Sequence, residues 1–346
     1  MTLCSFSKDM RNNLRFWGFA TLFAFATLLP FAACKHTPEQ QLDRDERLLQ
    51  LDAKIKQHPK EAELYYERGK ILIELQQITD AITDFKKAIE LDDDEVNYYV
   101  ALGDAYLRNG KSEDSYKALN KALELDPDHI EANSKMGELL FYSNDLDRAM
   151  ETLNHLTSID PNNKTAYMLK GFMYKQQGDT ANAVHYFRRV IDLYPDFEPA
   201  YEELGVLYAQ HHNMLGVEYL KTAIQLEPNN INAIYALAML YQDTENPEQA
   251  IELYTRILEI DPQNKFAWHN RGYIEMILYQ DYDNAIEFFT KAIDADNQYV
   301  EAHYNRGVAY ELKGDRNNAA ICYRTALQID PNYEPATKAL EQLGVK

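Results

Sequence analysis

The sequence predicts an all-α protein built by repetition, on three observations. Glycine recurs every 34 residues, at Gly69, Gly103, Gly137, Gly171 and Gly205, and Gly272 and Gly307 continue the series with Ala238 in the gap. Fixed offsets from these positions hold a small residue (Ala81, Ser115, Ala149, Ala183, Ala250, Ala319) and, four residues on, a bulky one (Phe85, Leu119, Leu153, Phe187, Tyr254, Tyr323). Pro127, Pro161, Pro195, Pro228, Pro262 and Pro331 then each close a unit.

Glycine inside a helix costs roughly 0.5–1 kcal/mol against alanine, so a glycine kept at one register needs a packing reason. Close approach of two helices supplies it: Gly69 offers no side chain where helix A crosses helix B, with Ala81 as the small opposing residue and Phe85 and Leu72 beside the crossing. Proline lacks the N–H that would continue helix B, so Pro127 and its counterparts stop it. The Asp and Asn residues of LDPDH and IDPNN supply turn and capping groups. Three residues after the glycine slot stand Leu72, Tyr106, Leu140, Tyr174, Tyr208, Tyr241 and Tyr310. This order resembles the tetratricopeptide repeat, a 34-residue helix–turn–helix, from Ala62 to Tyr333, about four-fifths of the chain. The resemblance implies a right-handed α-solenoid, because one pair cannot bury its own apolar stripe and neighbours must stack.

Taken in order, residues 1–33 are a leader. Lys8, Arg11 and Arg15 precede the uncharged run FWGFATLFAFATLLPFAA, the build of a secretory signal. It ends in FAAC at Cys34, which resembles a bacterial lipoprotein lipobox and departs from it at Phe31, where leucine is usual. The resemblance implies that Cys34 becomes the lipid-bearing N-terminus; an uncleaved membrane anchor and ordinary secretion are the alternatives. Residues 34–42 form a linker reaching roughly 30 Å if extended, which keeps the body near its membrane. Residues 43–61 hold a leading helix with the stripe Leu48, Leu51 and Ile55, ended at Pro59. Eight units follow at 62–95, 96–129, 130–163, 164–197, 198–230, 231–264, 265–299 and 300–333. Ala336, Ala339, Leu340 and Leu343 then line one face of a capping helix in 334–346. Unit five is one residue short, and the deletion belongs to the turn around His211 to Met214. Unit seven is one residue long, and the excess falls inside helix A between Gly272 and Met276, which predicts a π-bulge.

Net charge is −20, and outside the leader 32 basic residues stand against 54 acidic ones. Such a body repels phosphate backbones and excludes nucleic acid as the natural partner. Cys4, Cys34 and Cys322 show no CxxC spacing, which leaves neither a disulfide framework nor a zinc site, and Cys322 reads as a core residue. HExxH, GxSxG, a phosphate-cradling glycine loop and DxDxDG are absent, so nothing supports an enzyme, a metal or another cofactor. Adjacent His211 and His212 on a turn diverge and read as solvated. Asp92 to Glu95 lacks the alternate spacing of a calcium loop.

The family implies that positions 2, 5, 6, 9, 12 and 13 of each unit line a concave surface. Units one to three place polar groups there: Glu63, Glu67, Lys70, Asn97, Asp104, Glu131, Lys135 and Glu138. From unit four the face turns apolar, with Met168, Phe172, Val206, Tyr235, Met239, Phe266, His269, Tyr273, Tyr304 and Val308. Asn270 and Asn305 beside them offer amides to a peptide backbone. An exposed apolar stripe marks a binding surface for an extended or helical segment, unless its members pack against neighbouring helices. The family's carboxylate clamp is not matched, since its lysine and asparagine slots in unit one hold Tyr66 and Lys70. The expectation is a membrane-anchored adaptor that binds a protein or peptide partner in the bacterial envelope. Lys35 points to the outer membrane under the enterobacterial sorting rule. A receptor for a small peptide or glycan is the alternative, a hidden enzyme the third reading, and the solenoid ends leave a homo-oligomer open.

Overall fold

The computed structural model describes residues 38–344, with side chains from Glu46 onward. The leader, Cys34 and the start of the linker lie outside the described residues. Within them are eighteen α-helices and no strand. Backbone contacts group the chain into two compact units, one ending at Tyr186 and one starting at Phe187.

In the first unit α1 (Pro38–Gln57) precedes four helix pairs: α2 (Ala62–Glu74) with α3 (Ile78–Leu91), α4 (Val96–Arg108) with α5 (Ser112–Leu125), α6 (Ile130–Tyr142) with α7 (Leu146–Ile159), and α8 (Lys164–Gln176) with α9 (Thr180–Leu193), in which the division falls. The second unit continues with α10 (Glu198–Gln210) and α11 (Leu215–Leu226), α12 (Ile231–Asp243) and α13 (Pro247–Ile260), α14 (Lys265–Ile274) and α15 (Tyr282–Ala295), α16 (Val300–Lys313) and α17 (Arg316–Ile329), and closes with α18 (Glu334–Leu343). Helix α1 begins at Pro38, five residues ahead of the expected start, so residues 38–42 are helix and not linker. Proline suits a first helical turn, where its missing N–H has no intrahelical partner to lose. Arg68 ties α1 down, with Nη1 2.7 Å from Asp52 and a two-pronged bond to the buried Asp84 at 2.6 and 2.7 Å.

The glycines sit at helix crossings, but what fills their space is the bulky residue of helix B. A Cβ on Gly69 would stand 2.5 Å from the Phe85 ring, one on Gly103 2.6 Å from Leu119, and one on Gly307 2.6 Å from the Tyr323 ring. Ala81 and its counterparts are fully buried. Ser115, in the same slot, donates its hydroxyl to the Gly103 carbonyl at 2.7 Å, which places the small residue against backbone. Size decides which residue takes the space: a ring needs the missing side chain, whereas a methyl group only needs contact. In unit five Gly216 takes the small slot, where a Cβ would meet the Gly205 carbonyl at 2.9 Å.

Each helix A ends on one left-handed residue: Gln76, Gly110, Asn144, Gly178, His212, Glu245, Gln280 and Gly314 all have positive φ. Five of these eight are not glycine, a strained choice for residues with a Cβ. The position is eight for eight, and its glycines stand at one register in the sequence. In unit five helix B starts three residues after His212 instead of two, and α11 has 12 residues where the other B helices have 14. The deletion expected around His211 to Met214 therefore trims the first turn of helix B. The extra residue of unit seven forms a π turn, Glu275–Tyr279, directly after α14. Gln280 N–H reaches back five residues to the Glu275 carbonyl. The bulge starts within the expected stretch, at Glu275, and runs three residues past it to Tyr279, at the helix end, where fewer ladder bonds are disturbed. It turns Met276 inward, to 1% exposure, and leaves Glu275 half-buried.

Candidate functional site

Two of the twelve residues expected to line the partner groove lie in the first unit, on α8. Met168 is buried, and Phe172 is half-buried with its ring 6.4 Å from that of Phe141. The remaining ten lie on the A helices of the second unit. Met239 and Val308 are buried like Met168, so these three pack against neighbouring helices and cannot present their side chains to a partner. Val206, Tyr235, Phe266, His269, Tyr273 and Tyr304 keep part of their surface in water. Rings link several of these: Tyr235 meets Phe266 edge-on at 6.4 Å, and Tyr304 meets Tyr323 at 5.6 Å.

Asn270 and Asn305, expected to be free for a peptide backbone, are 8% and 1% exposed and turn into the protein. Asn270 Nδ2 donates to the Tyr235 hydroxyl at 2.8 Å and faces Met239 Sδ at 3.3 Å. Its oxygen lies 3.3 Å from His269 Nδ1, and Asn305 Nδ2 lies 2.8 Å from His269 Nε2. The amides therefore bridge consecutive A helices, α12 to α14 and α14 to α16. Burial of polar groups costs free energy unless they pair, and each amide found its partner one repeat away. Of the atoms of these two amides, Asn305 Oδ1 is buried without a partner.

These partners fix the chemistry of His269. Asn305 donates to Nε2, so the ring's proton sits on Nδ1 facing Asn270, and the imidazole is neutral. Burial holds its pKa down at about 4. The same burial lifts the Tyr235 and Tyr304 phenols to about 12, which keeps them protonated donors.

The polar face of the first unit pairs with itself. Lys135 Nζ lies 2.9 Å from Asp104 and 3.2 Å from Glu138, Arg108 Nε lies 2.6 Å from Asp104, and Lys70 pairs with Glu67. Burial works to raise the Asp104 carboxyl, but Lys135 and Arg108 outweigh it and hold the group below the usual range. Tyr98 donates to Glu63 at 3.1 Å. His212 pairs with Asp243 at 3.3 Å. Among the described residues no group of three or more His, Cys, Asp or Glu side chains could hold a metal ion, and no helix is long and apolar enough to cross a membrane.

Tyr299 and Tyr333 were missed by position counting. Both stand at the residue before a helix, the slot where Asn163, Asn230 and Asn264 accept the N–H three residues on at 2.9, 3.0 and 3.0 Å. Neither tyrosine makes a side-chain cap. The Tyr299 ring instead lies 5.6 Å from Phe266 and 5.2 Å from His269, and the Tyr333 ring 5.6 Å from Tyr304. Loss of a cap costs about 1 kcal/mol, and an aromatic residue in a capping slot was the signal available in the sequence.

Four family comparisons agree with this architecture. The TPR domain of cytochrome c-type biogenesis protein H matches residues 92–201, and tetratricopeptide repeat families match 69–110, 216–270, 279–314 and 300–333. No curated protein matches the chain. Among solved structures, a tetratricopeptide repeat protein from Parabacteroides merdae is 15% identical over 72% of this chain and 98% of its own, with a TM-score of 0.52. The Cut9–Hcn1 hetero-tetramer of the APC/C is 19% identical over 89% of this chain and 60% of its own, also at 0.52. MamA is 24% identical over 49% of this chain and 93% of its own, at 0.45. At these identities the likeness concerns the fold alone. The glycine crossings, the paired helices and the matched families together make this chain an array of tetratricopeptide repeats.

Proposed function

We propose that this protein is a membrane-anchored adaptor that holds a segment of a protein partner along the A helices of its second unit. The observation that carries the reading is the set of half-buried aromatic side chains on successive A helices: Tyr235, Phe266, Tyr273 and Tyr304. Rings kept partly in water are costly unless a partner covers them, and tyrosine supplies large contact area with a polar end. The leader and the FAAC ending support a lipid on Cys34 and a place in a bacterial envelope. The adaptor role needs no catalytic group.

The test is photo-cross-linking in intact cells from p-benzoylphenylalanine placed at Tyr273 or at Tyr304. A discrete protein adduct is expected from these positions and not from Ile321, which is 57% exposed on a helix B. Equal adducts from all three sites, or none from Tyr273 and Tyr304, would place the partner elsewhere. For the anchor, Cys34→Ala should release the body from membranes and abolish labelling by radioactive palmitate; undiminished labelling would remove Cys34 as the acceptor.

A further inference from the structure

The turn between α15 and α16 contains more than a misplaced tyrosine. Lys265, the first residue of α14, places Nζ 5.0 Å from the Phe266 ring centroid and 5.1 Å from that of Tyr299. The same nitrogen lies 2.5 Å from Asp296 Oδ2. Asp296 is held in place by its own turn, with Oδ1 accepting the Gln298 N–H at 2.9 Å. Two aromatic faces and a fixed carboxylate thus surround one ammonium group, which is the chemistry by which proteins select a cation. Tyr299 stands there and makes no side-chain cap, whereas Asn163, Asn230 and Asn264 cap the equivalent slots of three other units.

We propose that this seat receives a lysine or arginine side chain of the partner segment, and that Lys265 is the internal occupant it displaces. The proposal rests on the partner-binding reading above and gives that partner a chemistry. The Lys265 and Asp296 side chains are 31% and 32% exposed, so an incoming cation reaches both. Exchange leaves Asp296 paired throughout and returns Lys265 to water, so the resident ion pair resists only as weakly as exposed pairs do. Phe266 also touches Tyr235, and Tyr299 touches His269, so the seat is continuous with the aromatic A-helix face. Residues 187–346 carry 25 acidic side chains against 13 basic ones, a balance that draws in basic segments and turns acidic ones away.

The test uses two fluorescein-labelled nonapeptides rich in leucine and tyrosine, identical except for lysine or norleucine at the centre. Anisotropy titrations compare wild type with Lys265→Met, Lys265→Gln and Asp296→Asn, each checked for helical signal by circular dichroism. Vacating the seat should tighten the lysine peptide about fivefold in both Lys265 variants, and Asp296→Asn should weaken it at least threefold. The norleucine peptide should move less than twofold in all of them. Equal shifts for the two peptides, or no gain for lysine in either Lys265 variant, overturn the seat. Should the norleucine peptide bind wild type and be lost in Tyr273→Glu while lysine gains nothing, the seat fails and the binding face stands. Should neither peptide bind any of these proteins, both readings fail.

Discussion

His269 and its neighbour Asn270 show how a short chain of side chains holds three repeats in register, His269 bonding Asn305 in the next repeat and Asn270 bonding Tyr235 in the one before. The His269 Nδ1–H faces Asn270 at 3.3 Å and its Nε2 accepts from Asn305 at 2.8 Å, so the neutral ring is bound on both sides. No charged group raises its proton affinity, and burial holds the pKa near 4 against an ordinary value of 6.5. Between those values the unfolded chain binds a proton that the folded chain refuses. The stabilisation is therefore complete above about pH 6.5 and is lost progressively as the pH falls toward 4, by about 2 kcal/mol for a ring that keeps some contact with water. Urea unfolding of the wild type at pH 7.5 and pH 5 should show this loss, and His269→Gln should be less sensitive to the same change. A His269 imidazole found by NMR to titrate near 6.5 would refute the account. Gly307 tests packing at the same scale. Alanine would gain up to about 1 kcal/mol of helix propensity, but its Cβ would stand 2.6 Å from the Tyr323 ring, and overpacking costs typically 1–3 kcal/mol. Gly307→Ala should therefore lower the urea midpoint; an unchanged midpoint would mean that Tyr323 moves freely.

At the scale of elements, the A–B turns carry a strain the sequence displays only in part. Glu245 and Gln280 hold φ of 60° and 56° where Gly110, Gly178 and Gly314 hold theirs without a Cβ. Left-handed backbone costs a residue with a side chain about 1 kcal/mol, so Glu245→Gly should raise the thermal midpoint even though glycine gains entropy in the unfolded chain. A fall in midpoint would show that the Glu245 side chain contributes more than its backbone costs. These turns also show which parts of the fold were legible. Glycine, small, bulky and proline positions left a mark because each answers a local steric demand that few residue types can meet. The one-residue excess of unit seven announced a π turn, but counting could place it only between two alignments; the turn starts within that stretch, at Glu275, and extends past it to the helix end at Tyr279. The binding face was less legible. Position rules assigned Asn270 and Asn305 to the partner because they cannot see that Tyr235 and His269 lie within reach one repeat away. They passed over Tyr299 because its role depends on Lys265 and Asp296, 34 and three residues back in the chain.

For the whole molecule, stability in a repeat array is expected to be a sum of units and nearest-neighbour interfaces, so the ends should open first. The C-terminal end is closed by α18, which buries Ala336, Ala339 and Leu343 and receives a bond from Arg316 Nη2 to the Leu343 carbonyl at 2.9 Å. Directly behind it in sequence, α17 carries Cys322, a buried thiol at 2% exposure whose pKa burial pushes up. Cys322 is therefore a reporter of opening at this end in a chain whose Cys4 and Cys34 are replaced by serine. Leu343→Ala removes about 2–3 kcal/mol of burial from α18 and should accelerate alkylation of Cys322 at least tenfold. Leu153→Ala, a comparable loss in the first unit where Leu153 fills the space beside Gly137, should leave that rate within about twofold. If both variants accelerate labelling equally, Cys322 is exposed only when the entire chain unfolds, and the array behaves as one cooperative block. If only Leu343→Ala does, the end frays by itself, and each repeat depends chiefly on the neighbours it touches.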